Sequence, residues 1–228
     1  MLKRLRILGL VLAVIGAGFL VGGGVAFSMT QDGYKSLNDF SAAQNVTLSY
    51  NDEGQLVDRG TTEGAQNIMS LLTDDWGYPV VQSELDPNDP VVNTGSEYMY
   101  QMATVAYHTL HGTQTVTLTD PVEYNGETFE AGTYEFPVDG RYWTDFDRLH
   151  PIEGPARGMA WTGTAHALIA ELGVGTVTAS ALKMGLALAG LFAGIGGTLL
   201  IAGLGLFWAG KGEFSFAGAE SKRAVVNA

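Results

Sequence analysis

Two long apolar stretches without charge constrain this chain more than any other feature. MGLALAGLFAGIGGTLLIAGLGLFW occupies residues 184–208, and ILGLVLAVIGAGFLVGGGVAF occupies residues 7–27. A helix needs about 20 apolar residues to cross the hydrocarbon core of a bilayer. The sequence therefore predicts two transmembrane helices, and the lipid bilayer is the first partner that it indicates.

The residues between the two stretches are strongly acidic. Residues 28–182 hold 22 of the 24 Asp and Glu residues but only five of the 12 Lys and Arg residues. Nucleic-acid binding depends on Lys and Arg that neutralise phosphate, so no nucleic-acid partner is expected. The chain has no cysteine, which excludes disulfides and thiolate-ligated metals. No motif indicates a bound cofactor.

Positive charge is concentrated at the two ends of the chain, at Lys3, Arg4, Arg6, Lys211, Lys222 and Arg223. Cytoplasmic segments next to membrane helices are rich in Lys and Arg. Both termini are therefore expected to be cytoplasmic in the cell membrane, and the acidic middle extracytoplasmic. An alternative is a signal peptide cleaved near Ala26-Phe27-Ser28, although its apolar run exceeds the usual length of about 7–15 residues.

The expected fold class is a membrane protein with two transmembrane α-helices and an extracytoplasmic α+β domain that contains β-hairpins. Its predicted parts are a cytoplasmic tail (1–6), a transmembrane helix (7–27), the α+β domain (28–163), an outer juxtamembrane helix (164–183), a second transmembrane helix (184–208) and a cytoplasmic tail (209–228). Lys183 marks the expected boundary between the last two helices.

Within the α+β domain, apolar spacing predicts helices at about 62–73 and 97–111, the second capped by Ser96. Alternation predicts a strand at 46–50 and another at 113–119. Asn125-Gly126 predicts a tight hairpin, because both turn positions need a positive φ. The aromatic-rich stretch 139–163 is expected to be a loop.

Several ionisable side chains are candidates for a site. His108 and His111 share one face of the predicted helix, a spacing that suits metal ligands. A second group in the aromatic loop could bind a metal or serve acid–base chemistry, and it consists of Asp145, Asp147 and His150. Neither group has the complete pattern of a known metal site, so the sequence favours the absence of a metal and of catalytic residues. His166 and Glu171 attract attention because they interrupt an apolar segment.

Small residues recur at helical spacing in both apolar stretches. Membrane helices associate where small side chains let their backbones approach. The sequence predicts that the two spans pack against each other, antiparallel, through one face of each helix. The residues predicted at this contact are Gly9, Ala13, Gly16 and Gly23 in the first span, and Gly190, Gly194 and Gly197 in the second.

Three stretches carry a resemblance to known proteins: VEYNGETFEAGTYEF, VDGRYWTDFDRLHPIEGPARGMAWTGTAHAL and GVGTVTASALKMGLALAGL. They resemble segments of uncharacterised two-span envelope membrane proteins of actinobacteria, over residues 112–203. The resemblance implies the same membrane layout and carries over no site residue. Several accessory subunits of actinobacterial respiratory supercomplexes share this layout, which makes other membrane protein subunits the partners that the resemblance implies.

The leading hypothesis is a non-catalytic integral membrane protein that serves as an accessory or interaction subunit of a larger complex, such as a respiratory supercomplex. Two alternatives remain open. One is an extracytoplasmic sensor of a ligand or cation, and the other is a membrane-tethered enzyme.

Overall fold

The computed structural model describes residues 2–211, so the part of the expected C-terminal tail after Lys211, with Lys222 and Arg223, lies outside it. The helices are α1 (Leu2–Gln44), α2 (Thr62–Ser70), α3 (Gly95–Leu110), α4 (Glu153–Ala160) and α5 (Gly163–Ala209). The strands are β1 (Thr113–Leu118), β2 (Val122–Tyr124), β3 (Glu127–Phe129) and β4 (Gly132–Pro137). Short helical turns occupy Leu71–Asp75, Gln82–Glu84 and Trp143–Asp145.

The chain divides into two compact units. One consists of the two chain ends, Met1–Tyr34 and Leu182–Ala228, and the other is the middle, Lys35–Ala181. We refer to them as the helical pair and the central domain.

Helices α1 and α5 are both long and apolar enough to cross a membrane, by length and composition. They contain 43 and 47 residues, which is about 65–70 Å at a rise of about 1.5 Å per residue. Each is more than twice the roughly 30 Å thickness of a hydrocarbon core. Helix α1 continues past the expected helix end at residue 27, and α5 continues through the expected boundary at Lys183. Neither place has a proline or a turn sequence that would end a helix.

In the helical pair, α1 packs antiparallel on α5 through glycines. A Cβ atom added to Gly9 would stand 2.6 Å from the carbonyl oxygen of Gly203, and one added to Gly23 would stand 3.1 Å from that of Ala189. Ala13 lies on the same face, because a Cβ atom on Gly203 would stand 2.4 Å from its backbone nitrogen. The structure thus places the predicted face of the first span at the contact.

The predicted face of the second span is wrong. A Cβ atom on Gly190, Gly194 or Gly197 would meet nothing within 4 Å among the residues that the structure describes. The face of α5 that contacts α1 repeats every seventh residue instead, through Ala189, Gly196 and Gly203. Gly190 and Gly197 each follow a contact residue by one position, which turns them about 100° away.

At one end of the pair, Arg6 binds the C-terminal end of α5. Its Nε donates a hydrogen bond of 2.7 Å to the carbonyl oxygen of Gly210. The last carbonyl groups of a helix have no partner inside the helix, and a cationic side chain is favourable there.

The core of the central domain forms where α3 meets the residues after α2 and after β4. Leu110, Val138 and Trp161 are each at most 7% exposed in the main cluster. Helix α3 begins at a capping box: Thr94 Oγ1 accepts from the backbone N–H of Glu97, and the Glu97 carboxylate accepts from the N–H of Thr94. The cap is therefore Thr94, two residues before the predicted Ser96.

The β structure contains the predicted hairpin. β2 pairs antiparallel with β3 across Asn125 and Gly126, whose φ angles are 51° and 83°. β1 and β4, which precede and follow this hairpin in the sequence, pair antiparallel with each other. The expected strand at 46–50 makes only isolated bridges, Thr47 with Val91 and Tyr50 with Leu56. The expected loop 139–163 contains α4, whose face with Ala156 and Ala160 is buried.

Candidate binding cavity

An apolar cavity of about 420 Å³ lies inside the central domain. It is bounded by the part of α1 after Tyr34, by α3, by the part of α5 before Leu182 and by the chain near residues 46 and 92. Its volume falls within the roughly 300–1,000 Å³ typical of small-molecule sites. The apolar side chains that line it are Leu37, Phe40, Val46, Val92, Val105, Leu168, Leu172 and Val174.

Tyr98 is the aromatic side chain that α3 contributes to the cavity wall. Its hydroxyl forms a buried hydrogen bond of 2.8 Å with Ser41 Oγ. The ring lies directly on Gly175 of α5, where a Cβ atom would stand 2.5 Å from ring carbons. Gly175 therefore leaves room for the ring of Tyr98 against the backbone of α5, and Ser41 fixes its polar end.

Two polar side chains meet at the edge of the cavity. Gln44 Nε2 donates a hydrogen bond of 3.2 Å to Glu171 Oε1, and both residues are exposed. Glu171, which interrupts an apolar segment in the sequence, therefore lines this cavity, whereas His166 does not. His166 instead makes ring contacts with Trp143 and Trp161, at centroid distances of 4.9 and 5.6 Å. The cavity thus combines a mostly apolar lining with a hydrogen-bonded carboxylate–carboxamide pair at its edge, and Gln101 adds a second carboxamide to the lining.

His108 and His111 have separate partners. His108 Nε2 lies 3.0 Å from Asp58 Oδ1, and this pair is mostly buried. His111 Nδ1 donates instead to the carbonyl oxygen of Tyr107, at 2.8 Å. The two imidazoles therefore serve different contacts. Asp58, which the sequence did not single out, follows a short irregular segment and has no motif that would reveal it.

Two tyrosine hydroxyls are buried without a hydrogen-bond partner among the described residues, those of Tyr50 and Tyr100. Burial raises the pKa of Tyr50 to about 12, with smaller contributions from Glu97 and Asp86. Burial also raises the pKa of Tyr100, and the charge of Asp58 adds to this effect. Both phenols therefore remain protonated donors at physiological pH.

Asp145, Asp147 and His150 are each occupied by local hydrogen bonds. Asp145 Oδ2 accepts from the backbone N–H of Tyr142 at 2.8 Å. Tyr124 donates a 2.5 Å hydrogen bond to Asp147, which raises the pKa of Tyr124 and lowers that of Asp147. His150 Nδ1 accepts from the N–H groups of residues 152 and 153 at the start of α4. These roles explain the residues as supports of the loop and of α4.

Across residues 2–211, no three His, Cys, Asp or Glu side chains come together as a possible metal site. Comparison with protein-family models, with curated proteins and with solved structures finds no match. The cavity is therefore interpreted from its own geometry.

Proposed function

We propose that the chain is a non-catalytic integral membrane protein with two spans, whose central domain lies outside the cytoplasm and binds one amphiphilic ligand. The proposal rests on the cavity that Tyr98 helps to line. Its lining is mostly apolar, and its few polar residues are Gln101, Thr178 and two hydrogen-bonded pairs, Ser41–Tyr98 and Gln44–Glu171. This combination is typical of sites that bind small molecules.

The membrane location is supported by the outward faces of α1 and α5. Val14, Val21 and Ile201 are 64%, 69% and 74% exposed. Large apolar side chains in such number are costly in water but favourable in lipid. Gly9, Gly16, Gly23, Gly196 and Gly203 meanwhile lie between the helices, as expected where small residues drive association in a bilayer.

The rim of the cavity indicates the kind of ligand. Glu171 is a carboxylate and Gln44 offers an amide, so an amine or hydroxyl group on the ligand would find an acceptor there. An aliphatic or aromatic body would fill the interior. The ligand class is therefore an amphiphile with a neutral or cationic head.

Val105→Trp tests this function, because the indole would fill space in the cavity that Val105 lines. Val122→Trp is the matched control, since Val122 is an exposed residue of β2. Each full-length protein is purified from its native membrane in mild detergent and extracted with organic solvent, and the extract is quantified by mass spectrometry. We expect close to one amphiphile per chain in the wild-type and Val122→Trp proteins, and loss of most of it in Val105→Trp.

Equal recovery from all three proteins, or recovery of no stoichiometric compound from any of them, would contradict ligand binding in the cavity. Circular dichroism at several temperatures checks that Val105→Trp remains folded. Glu171→Gln gives a second measure that does not fill the cavity, and it should weaken retention of a cationic ligand more than that of a neutral one.

A second candidate function is that of an accessory subunit, and the exposed glycine face of α5 favours it. Gly190 and Gly194 form a GxxxG pair with open space beside both residues, the pattern through which membrane helices often associate. Gly194→Leu should release a partner subunit during mild-detergent purification. Ala202→Leu is the control on the same helix, because Ala202 is exposed and lies about 80–120° around the helix from Gly190 and Gly194. Purification of the wild-type chain alone, under conditions that keep other membrane complexes intact, would argue against this role.

The membrane orientation is tested by cysteine labelling, since the chain has no cysteine of its own. Ser36→Cys, at the start of the central domain, should react with an impermeant thiol reagent on intact cells. Ser221→Cys, which lies beyond the described residues, should react only after lysis. The reverse pattern would place the central domain in the cytoplasm.

A further inference from the structure

Basic residues are rare in the central domain and unevenly distributed. Of the five Lys and Arg residues in the central domain, Arg141, Arg148 and Arg157 fall within 17 positions of one another. Arg141 forms an ion pair with Glu153. Among the described residues, neither Arg148 nor Arg157 forms a salt bridge. Two guanidinium groups are thus left without a counter-charge in a strongly acidic domain.

Arg157 is held in place by an aromatic ring. Its guanidinium carbon lies 3.8 Å from the centroid of the Trp143 ring, a close cation–π contact. Its Nε is buried and has no hydrogen-bond partner among residues 2–211. The stacking reduces the conformational freedom that a flexible arginine would lose on binding.

Arg148 and Arg157 line the same small pocket, together with Trp143, Thr144 and Phe146. The pocket has a volume of about 180 Å³, which is below the roughly 300–1,000 Å³ of sites that enclose a whole drug-sized ligand. It therefore suits a single compact group. The hydroxyl of Thr144 offers a third donor beside the two guanidinium groups.

The nearest acidic residues in sequence are already engaged. Asp145 binds the backbone N–H of Tyr142, and Asp147 binds both the Tyr124 hydroxyl and the backbone N–H of Leu149. Neither carboxylate pairs with Arg148 or Arg157. The positive charge of the pocket is therefore not cancelled by a direct contact.

We propose that the pocket formed by Trp143, Thr144, Phe146, Arg148 and Arg157 binds a phosphate-type oxyanion, either free or as the head of an anionic lipid. Guanidinium groups match the geometry of phosphate oxygens and bind them through charge-assisted hydrogen bonds. Two guanidinium groups and a hydroxyl offer more hydrogen-bond donors than the two oxygens of one carboxylate can accept. A phosphate presents three or four oxygens and matches this number of donors better. This site is separate from the apolar cavity and does not depend on the function proposed for it.

The first experiment uses inorganic phosphate and the full-length chain in a maltoside detergent, which contains no phosphate. Binding is followed by tryptophan fluorescence, since Trp143 lies against Arg157, at constant ionic strength maintained with chloride. Acetate serves as the carboxylate control. We expect a saturable response to phosphate and a response to acetate that is at least tenfold weaker.

Arg148→Gln and Arg157→Gln identify the site. Arg59→Gln is the matched control, because Arg59 is an exposed arginine elsewhere in the central domain, and its loss changes the net charge equally. One charge-assisted hydrogen bond typically affects binding by at least tenfold. We expect that loss of affinity in each of the two pocket variants and unchanged affinity in Arg59→Gln. If Arg157→Gln does not fold, Arg148→Gln still tests whether the pocket binds phosphate, because the Arg148 side chain is exposed and makes no contact that folding requires.

A second arm distinguishes the two sources of the oxyanion. Phosphatidylglycerol and diacylglycerol with the same acyl chains are each added to the micelles, and bound lipid is measured by native mass spectrometry. If phosphatidylglycerol is retained, is lost in Arg148→Gln and is displaced by phosphate, the ligand is a lipid head. If only inorganic phosphate binds, the ligand is a free anion. The proposed site would be wrong if neither phosphate nor phosphatidylglycerol binds, or if Arg59→Gln weakens binding as much as the two pocket variants do.

Discussion

Gly16 and Gly196 lie backbone against backbone in the helical pair. A Cβ atom on Gly16 would stand 2.7 Å from the carbonyl oxygen of Gly196, and one on Gly196 would stand 2.8 Å from that of Gly16. Such distances are shorter than real Cβ contacts, and the obstacle on each side is backbone, which cannot turn aside. This reciprocal contact means that glycine is required at both positions.

Gly196→Ala should therefore separate the two helices locally and destabilise the pair, by about 1–3 kcal/mol as for other overpacked sites. The measurement is the unfolding of the full-length chain in mixed micelles of increasing dodecyl sulfate content. Gly194→Ala is the control on the same helix, because nothing lies within 4 Å of its Cβ position. It should be neutral or slightly stabilising, since alanine favours a helix by up to about 1 kcal/mol over glycine.

Equal destabilisation by both alanines would show that the helices do not pack as described. Gly197→Leu changes a residue that the spacing in the sequence predicts to lie in the contact, and it is expected to leave the pair intact because a Cβ atom on Gly197 has open space.

The wrong prediction of the contact face of the second span has a simple physical origin. α5 contains glycine on several faces, and spacing within one helix cannot tell which face meets a neighbour. In α1, Gly9, Gly16 and Gly23 recur at seven-residue intervals with Ala13 among them, and this regular series marks the face that meets α5. For α5 the same interval exists at Ala189, Gly196 and Gly203, but the adjacent GxxxG at Gly190 and Gly194 is the more familiar signal.

Leu72 is a fully buried residue of the central domain, at 0% exposure. Leu72→Ala should lower the free energy of unfolding by about 2–5 kcal/mol, because it leaves a cavity in a packed core. Leu149→Ala makes the same change at a side chain that is 80% exposed, and it should alter stability by less than about 0.5 kcal/mol. Urea titration followed by tryptophan fluorescence compares the two. A similar effect of both would contradict the position of Leu72 in the core.

The turn between β2 and β3 depends on Gly126, whose φ is 83°. An alanine forced into such a conformation costs about 1–2 kcal/mol, so Gly126→Ala should destabilise the central domain by about that amount. Gly132→Ala is the control within the same β region, because a Cβ atom there has open space. Thermal unfolding of both variants tests this, and a larger loss in Gly132→Ala would contradict the turn.

Local signals in the sequence were sufficient for this turn, because Asn-Gly specifies its own backbone. They were not sufficient for the cavity, whose walls come from residues as distant as Leu37 and Thr178. Gly175 is a clear example: its role is to accept the ring of Tyr98, which no spacing in the sequence reveals. The Arg148–Arg157 pocket is intermediate, since the cluster of arginines is visible in the sequence but the stacking on Trp143 is not.

Glu97 gives a prediction on pH, because its carboxylate is only 1% exposed at the start of α3. Burial raises its pKa above the ordinary value of 4.5, although the backbone N–H groups of Asn93 and Thr94 oppose this by donating to Oε2. The folded state therefore holds this proton more tightly than the unfolded state does. The contribution of Glu97 to stability is greatest below about pH 4.5 and is lost as the pH rises through the folded pKa.

Glu97→Gln keeps an oxygen that can accept the same backbone hydrogen bonds, but it does not ionise. The free energy of unfolding of the variant should therefore improve relative to the wild-type chain as the pH rises from about 4 to 7, the range above the ordinary pKa of glutamate. Groups with a lowered pKa, such as Asp147, contribute the opposite slope to both proteins and cancel in the difference. Urea titrations at closely spaced pH values measure it, with Glu127→Gln on exposed β3 as the reference for loss of one charge. A difference that changes in the opposite direction would mean that the hydrogen bonds at the cap outweigh the burial of the carboxylate.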